Sequence, residues 1–94
     1  MGALSKRKGA RVEHKVIAWL EGQGYRCVRA AGSLGAFDLV AVRSLDMVLV
    51  QAKSNRWPGT DEMARLREWQ IPANCRRLVV RWRDRRPEPD VMEL

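Results

Sequence analysis

A chain of 94 residues, 46% of them hydrophobic, can build one domain with a single modest core and is too short for two. Its 18 lysines and arginines outnumber 11 acids, and the resulting charge of +7 with a pI near 10.4 favours polyanions, nucleic acid ahead of membrane surfaces. No apolar run approaches the ~20 residues of a spanning helix, and no apolar segment of a secretory signal follows the basic start.

Residues 1–6 read as a flexible basic arm. From about Arg7 to Gln23 the spacing predicts a helix that closes at Gly24, a residue type suited to the left-handed turn after a helix. Tyr25 to Ala30 reads as a strand and 31–37 as a Gly-rich loop. Asp38 to Arg43 and Met47 to Lys53 read as two further strands, and Ser44-Leu45-Asp46 between them is short enough to make a hairpin. Thr60 is placed to cap a second helix with Asp61 and Glu62 in its first turn, where the helix dipole favours acids. Met63, Leu66 and Trp69 give that helix an apolar side before Pro72. Cys75 to Arg83 reads as a last strand with Leu78, Val80 and Trp82 on one face, and 85–94 as a charged tail. The order αβββαβ describes one α/β domain over 1–94, a mixed central sheet flanked by helices.

Cys27 and Cys75 lack any Cys-x-x-Cys spacing, and the chain has one histidine, so the pattern is not that of a zinc site. They read as reduced core side chains of a cytoplasmic protein.

In the first helix Val12, Val16, Ile17, Trp19 and Leu20 share one stripe, and Glu13 falls inside it. A carboxylate on the inward side of a helix is costly unless a cation or several donors meet it. Pairing with a nearby basic residue at a wet helix start accounts for Glu13 alone. Further polar residues favour a site. Asp38 stands at the mouth of the second strand, and Gln51 and Lys53 share one face of the third with Ala52 turned away. Magnesium takes oxygen ligands and keeps several waters, so one or two carboxylates hold it. In that chemistry Asp38 is the central ligand, with the Gln51 side-chain carbonyl and the Ala52 backbone carbonyl as further oxygens. Glu13 binds a second ion or orients water, and Lys53 offsets charge growing on an attacked phosphate. Ser33 is a candidate phosphate contact. His14 lies on the polar helix face, which leaves a serine nucleophile without its base.

Taken together, the segments Arg7–Glu13, Val28–Ser33, Asp38–Ala41 and Gln51-Ala52-Lys53 resemble the PD-(D/E)XK nuclease superfamily, and within it Holliday junction resolvases of the archaeal type, also found in viruses. The resemblance spans roughly residues 6 to 55. It implies a restriction-endonuclease-like core, a homodimer, dependence on Mg2+ (with Mn2+ as a substitute) and paired nicks across four-way DNA junctions. By position, Glu13, Asp38, Gln51 and Lys53 match the catalytic set and Ser33 the serine of a Gly-Ser loop. Phe37 precedes Asp38 where proline is usual, and Gln51 stands where the resolvases usually carry an acid. A neutral amide offers one oxygen without charge, which lowers affinity for the ion.

Lys6, Arg7, Lys8 and Arg11 cluster near Glu13, and with Arg29, Ser33 and Arg56 they form the expected DNA-contacting set. A second basic cluster, Arg76 to Arg86, comes late in the chain. Trp19 and Trp82 read as core, Trp69 as packing the second helix on the sheet, and Trp57 as core or as a stacking platform. The first reading is therefore a structure-selective endonuclease in a cellular or viral-host cytoplasm. Its alternatives are another nuclease of the same superfamily acting on flaps or duplex, a junction-binding module with an eroded site, and a basic subunit docked on a larger partner.

Overall fold

The structure is a computed structural model that describes residues 2–30 and 36–94. Helix α1 (Gly2–Glu21) leads into β1 (Arg26–Arg29), β2 (Leu39–Val42) and β3 (Met47–Ser54). Helix α2 (Thr60–Glu68), β4 (Cys75–Trp82) and β5 (Asp90–Glu93) follow. The five strands form one mixed sheet in sequence order. β1, β2 and β3 run as an antiparallel meander, α2 crosses over to bring β4 parallel to β3, and β5 returns antiparallel to β4.

α1 stops because Gly24 takes φ +95° and its N–H bonds Glu21 O at 3.0 Å, a turn that a side chain would strain. Its stripe is the expected one: Val12, Val16 and Leu20 are buried against Leu39, Ala41, Val48, Val50, Leu78 and Val80 of the sheet, with Ile17 and Trp19 packed alongside. α2 covers the other face, where Leu66 meets Phe37, Leu49, Cys75 and Val79. β3 is therefore covered on both sides, which is why Val48-Leu49-Val50 is apolar without a break. Each such side chain contributes about 1.5–3 kcal/mol through burial.

Four expectations need correction. α1 begins at Gly2, so residues 2–6 are helical rather than an arm. The expected charged tail contains a strand: Asp90–Glu93 pairs with Leu78–Arg81, so the order is αβββαββ. Gly59, not Thr60, is the N-cap of α2, without a side-chain hydrogen bond. Trp69 lies past the end of α2 with extended backbone (ψ 117°) and 39% exposure, so it does not pin the helix to the sheet. Cys27 and Cys75 are both free and belong to opposite core layers, and burial pushes both thiols up, away from reactivity. Among the described residues no helix is long and apolar enough to cross a membrane.

Candidate active site

The β2–β3 hairpin fixes the site. Asp38 sits one residue before β2, its N–H bonded to Val50 O at 2.9 Å and its carbonyl accepting from Ala30 N at 2.8 Å. The backbone of Asp38 is thus clamped between β1 and β3. Residue pairing of β2 with β3 ends at Leu39 and Val50, so the N–H of Ala52 has no partner on β2 and donates to Asp38 Oδ2 at 3.0 Å instead. Asp38 is half-buried. Burial is the main cause holding its carboxyl above the ordinary value of 3.8, opposed by the Ala52 N–H; the charges of Glu13 and Glu62 push it further up and Lys53 pulls it down.

Alternation along β3 sends Val50 and Ala52 to the α1 layer and leaves Gln51 and Lys53 on the α2 side. Gln51 is the one buried polar residue of the described core. Its Nε2 donates to Glu62 Oε2 at 3.1 Å, and Lys53 Nζ pairs with Glu62 Oε1 at 3.0 Å. Both members of the Lys53–Glu62 pair remain partly exposed (30% and 28%), so this contact contributes at most about 1 kcal/mol. A pocket of about 110 Å³ opens among Ala36, Asp38, Gln51, Glu62, Arg65 and Leu66.

The structure therefore brings Asp38 and Gln51 to one pocket, with Lys53 beside them through Glu62. Glu13 reaches the same end of the sheet, close enough for its charge to act on Asp38, but its Oε1 is bound by Arg29 at 2.9 Å. That is the ordinary basic partner that accounts for the inward carboxylate. No group of three or more His, Cys, Asp and Glu side chains converges as a metal cluster among the described residues. Ser33 lies outside the described residues. Arg29 and Arg56 are exposed, and Lys6, Arg7 and Lys8 lie in the first half of α1. Trp57 packs in the α2 layer with Arg81 stacked on its ring at 4.4 Å, which assigns it to packing.

By sequence position alone Glu62 reads only as an acid that favours the dipole of α2. A signal was available: it stands four residues before the buried Leu66 and so lies on the same helix face, the criterion that singled out Glu13.

On the α1 side runs a groove of about 400 Å³ with three cations, Arg11, Lys15 and Arg83 (the last paired with Asp90), one acid, Asp84, and Val12, Ser54 and Trp82 between them. Lys15 Nζ lies 5.7 Å from the centre of the Trp82 ring. Spaced cations with an apolar floor suit a sugar–phosphate backbone and carry no base code.

The donors at the pocket suit a hard divalent cation in kind, two carboxylates and an amide oxygen with no thiol or imidazole, while Arg65 in the same lining offsets part of their charge. A protein-family model described as "Archaeal holliday junction resolvase (hjc)" matches residues 4–68, which covers α1, the hairpin and α2. No curated protein matches the chain.

Proposed function

The chain belongs to the archaeal Holliday junction resolvase family, and on that premise we propose that it is a magnesium-dependent endonuclease that cuts four-way DNA junctions by hydrolysis of phosphodiesters. The observation that carries this reading is that Asp38 and Gln51 share one pocket at the end of the β2–β3 hairpin, with Asp38 clamped by backbone on both sides and Lys53 paired to Glu62 of the same pocket.

Asp38, Gln51 and the backbone carbonyl of Ala52 would hold the cation, with Glu13 beside them once it leaves Arg29. When bound, Mg2+ (or Mn2+) would supply positive charge to the scissile phosphate and activate water for the attack. The remaining chemistry belongs to the chain. Asp38 is held in place before substrate arrives, so no reorganisation is needed at the moment of reaction. Lys53 Nζ donates to a phosphate oxygen as negative charge grows there, exchanging Glu62 for the substrate. Arg11, Lys15 and Arg83 in the groove hold the duplex arm through its phosphates, which reads shape and suits selection of branches over sequence. Ser33, Arg29 and Arg56 are further contacts in this reading.

Paired nicks require two sites, and a homodimer is part of the proposal. Its support is the sheet face turned away from α1 at β1 and β2. There Val28 is 64% exposed opposite Val40, and Val42 is 44% exposed. Sedimentation of the chain alone tests this; a monomer at micromolar concentration contradicts it.

A second reading is favoured by Gln51: a neutral amide beside one carboxylate describes a site that binds junctions without cutting them. Cleavage of junction, flap and linear duplex, each with Mg2+ and with EDTA, separates the readings. The nuclease cuts the junction in preference to the others and only with the metal. The binding module retards the junction, in a salt-sensitive way, and cuts nothing with Mg2+ or Mn2+.

A further inference from the structure

Glu62 does more at the pocket than balance Lys53. Its two oxygens are engaged by the two side chains that β3 sends to the site, Gln51 Nε2 at 3.1 Å and Lys53 Nζ at 3.0 Å. Together with Asp38 and Gln51 it lines the pocket of about 110 Å³, and its charge acts on Asp38. That volume exceeds what a single water needs, so a hydrated ion is not excluded by size.

Charge decides what the pocket can hold. Asp38 alone brings one negative charge to a pocket that Arg65 also lines and that Lys53 adjoins, and Gln51 adds none. Glu62 supplies the missing charge, from the first turn of α2 where the helix dipole stabilises it. Its partners are also ones it can release. Lys53 is needed at the phosphate, and a Gln51 amide freed from Glu62 can turn its oxygen to the ion.

We infer that Glu62, carried on α2 rather than on the hairpin, is the second carboxylate of the cation site, holding the metal opposite Asp38 where Gln51 offers only a neutral oxygen. This rests on the metal-dependent reading above and adds to it a ligand from a different element of the fold.

The test is Mn2+ titrated into the full chain, with and without a four-way junction, read as loss of the free-ion electron paramagnetic resonance signal. Glu62→Gln is expected to weaken Mn2+ binding by at least about 10–100-fold, the loss that removal of even an outer-shell partner brings, with cooperative thermal unfolding and junction binding in EDTA retained. Placing Gln51→Glu on that background is expected to restore most of the affinity, because the carboxylate returns to the same pocket. Asp61→Asn, the exposed neighbour in α2, controls for general charge and is expected to leave binding unchanged. If Asp38→Asn abolishes Mn2+ binding and Glu62→Gln binds as wild type, the role of Glu62 is overturned and the cation site stands. Equal losses in Asp61→Asn and Glu62→Gln overturn it as well. If wild type binds no Mn2+, or Asp38→Asn binds it as well as wild type, the cation site itself falls and the inference with it.

Discussion

The β2–β3 hairpin carries an aspartate at each end, and the fold treats them in opposite ways. Asp46, in the turn, is surrounded by donors: Arg43, Tyr25 Oη at 2.8 Å and Arg76 Nη2 at 3.1 Å. The hydrogen bond from Arg43 first, then those from Tyr25 and Arg76, hold its carboxyl below the ordinary value. Arg76 also bonds Tyr25 Oη and Glu93, so this network ties the end of α1, the hairpin turn, β4 and β5 together. Asp38, at the open end, has burial, one backbone N–H and the charges of Glu13, Lys53 and Glu62 around it; burial and the two acids outweigh the Ala52 N–H and Lys53, and its carboxyl is pushed up. One end of the hairpin is satisfied and stabilises the fold. The other has no side-chain donor on its carboxylate and carries a perturbed acid in a pocket, the pattern of a functional site.

The largest expected effect comes from breaking the open end. Asp38→Asn should lower junction cleavage by at least about 10²-fold, as removal of a fixed electrostatic group in an active site does. It should also raise Tm. Because the folded-state carboxyl is raised, its ionised form costs stability at neutral pH, and the gain should vanish below the ordinary value of 3.8, where wild type is protonated as well. Lys53→Ala should reduce cleavage by a similar order, on the order of 10²-fold, while binding in EDTA persists.

Leu66→Ala tests the packing under the open end. This fully buried contact beneath Glu62 should cost about 2–5 kcal/mol in denaturant unfolding. Asp46→Asn should lower Tm at neutral pH and leave cleavage unchanged. Its folded-state carboxyl is depressed, so its contribution is complete above the ordinary value of 3.8 and is lost as pH falls through the folded value. Wild type and Asp46→Asn should therefore converge in stability in acid. The smallest effect is expected of Arg11→Ala in the basic groove: slightly weaker junction binding, with the slope of log affinity against log salt reduced by about 0.9 for the lost phosphate contact.

The hairpin end could be read from the residues because strand alternation and a short turn, four residues in the structure, leave little freedom: once Met47–Lys53 is a strand, Gln51 and Lys53 share a face. The α1 stripe was readable for the same reason, since a periodic pattern of apolar residues needs only one helix to interpret it. What escaped depended on contacts between distant segments. Asp90–Glu93 is charged and follows two prolines, so nothing local marks it as a strand; its pairing with β4 and the contact of Asp90 with Arg81 at 2.8 Å hold it there. Glu62 carries meaning only once α2 is laid over β3, which places its carboxylate between Gln51 and Lys53. The Arg29 partner of Glu13 lies sixteen residues away, on a strand whose position relative to α1 no periodicity predicts.

We propose that the open end of the hairpin, centred on Asp38, cuts branched DNA. It is tested most directly by following a labelled four-way junction with Mg2+ in parallel with wild type, Asp38→Asn and Asp46→Asn. Paired nicks from wild type and Asp46→Asn, with an uncut but fully bound junction in the presence of Asp38→Asn, are the predicted result. Nicking by Asp38→Asn at the wild-type rate would contradict it.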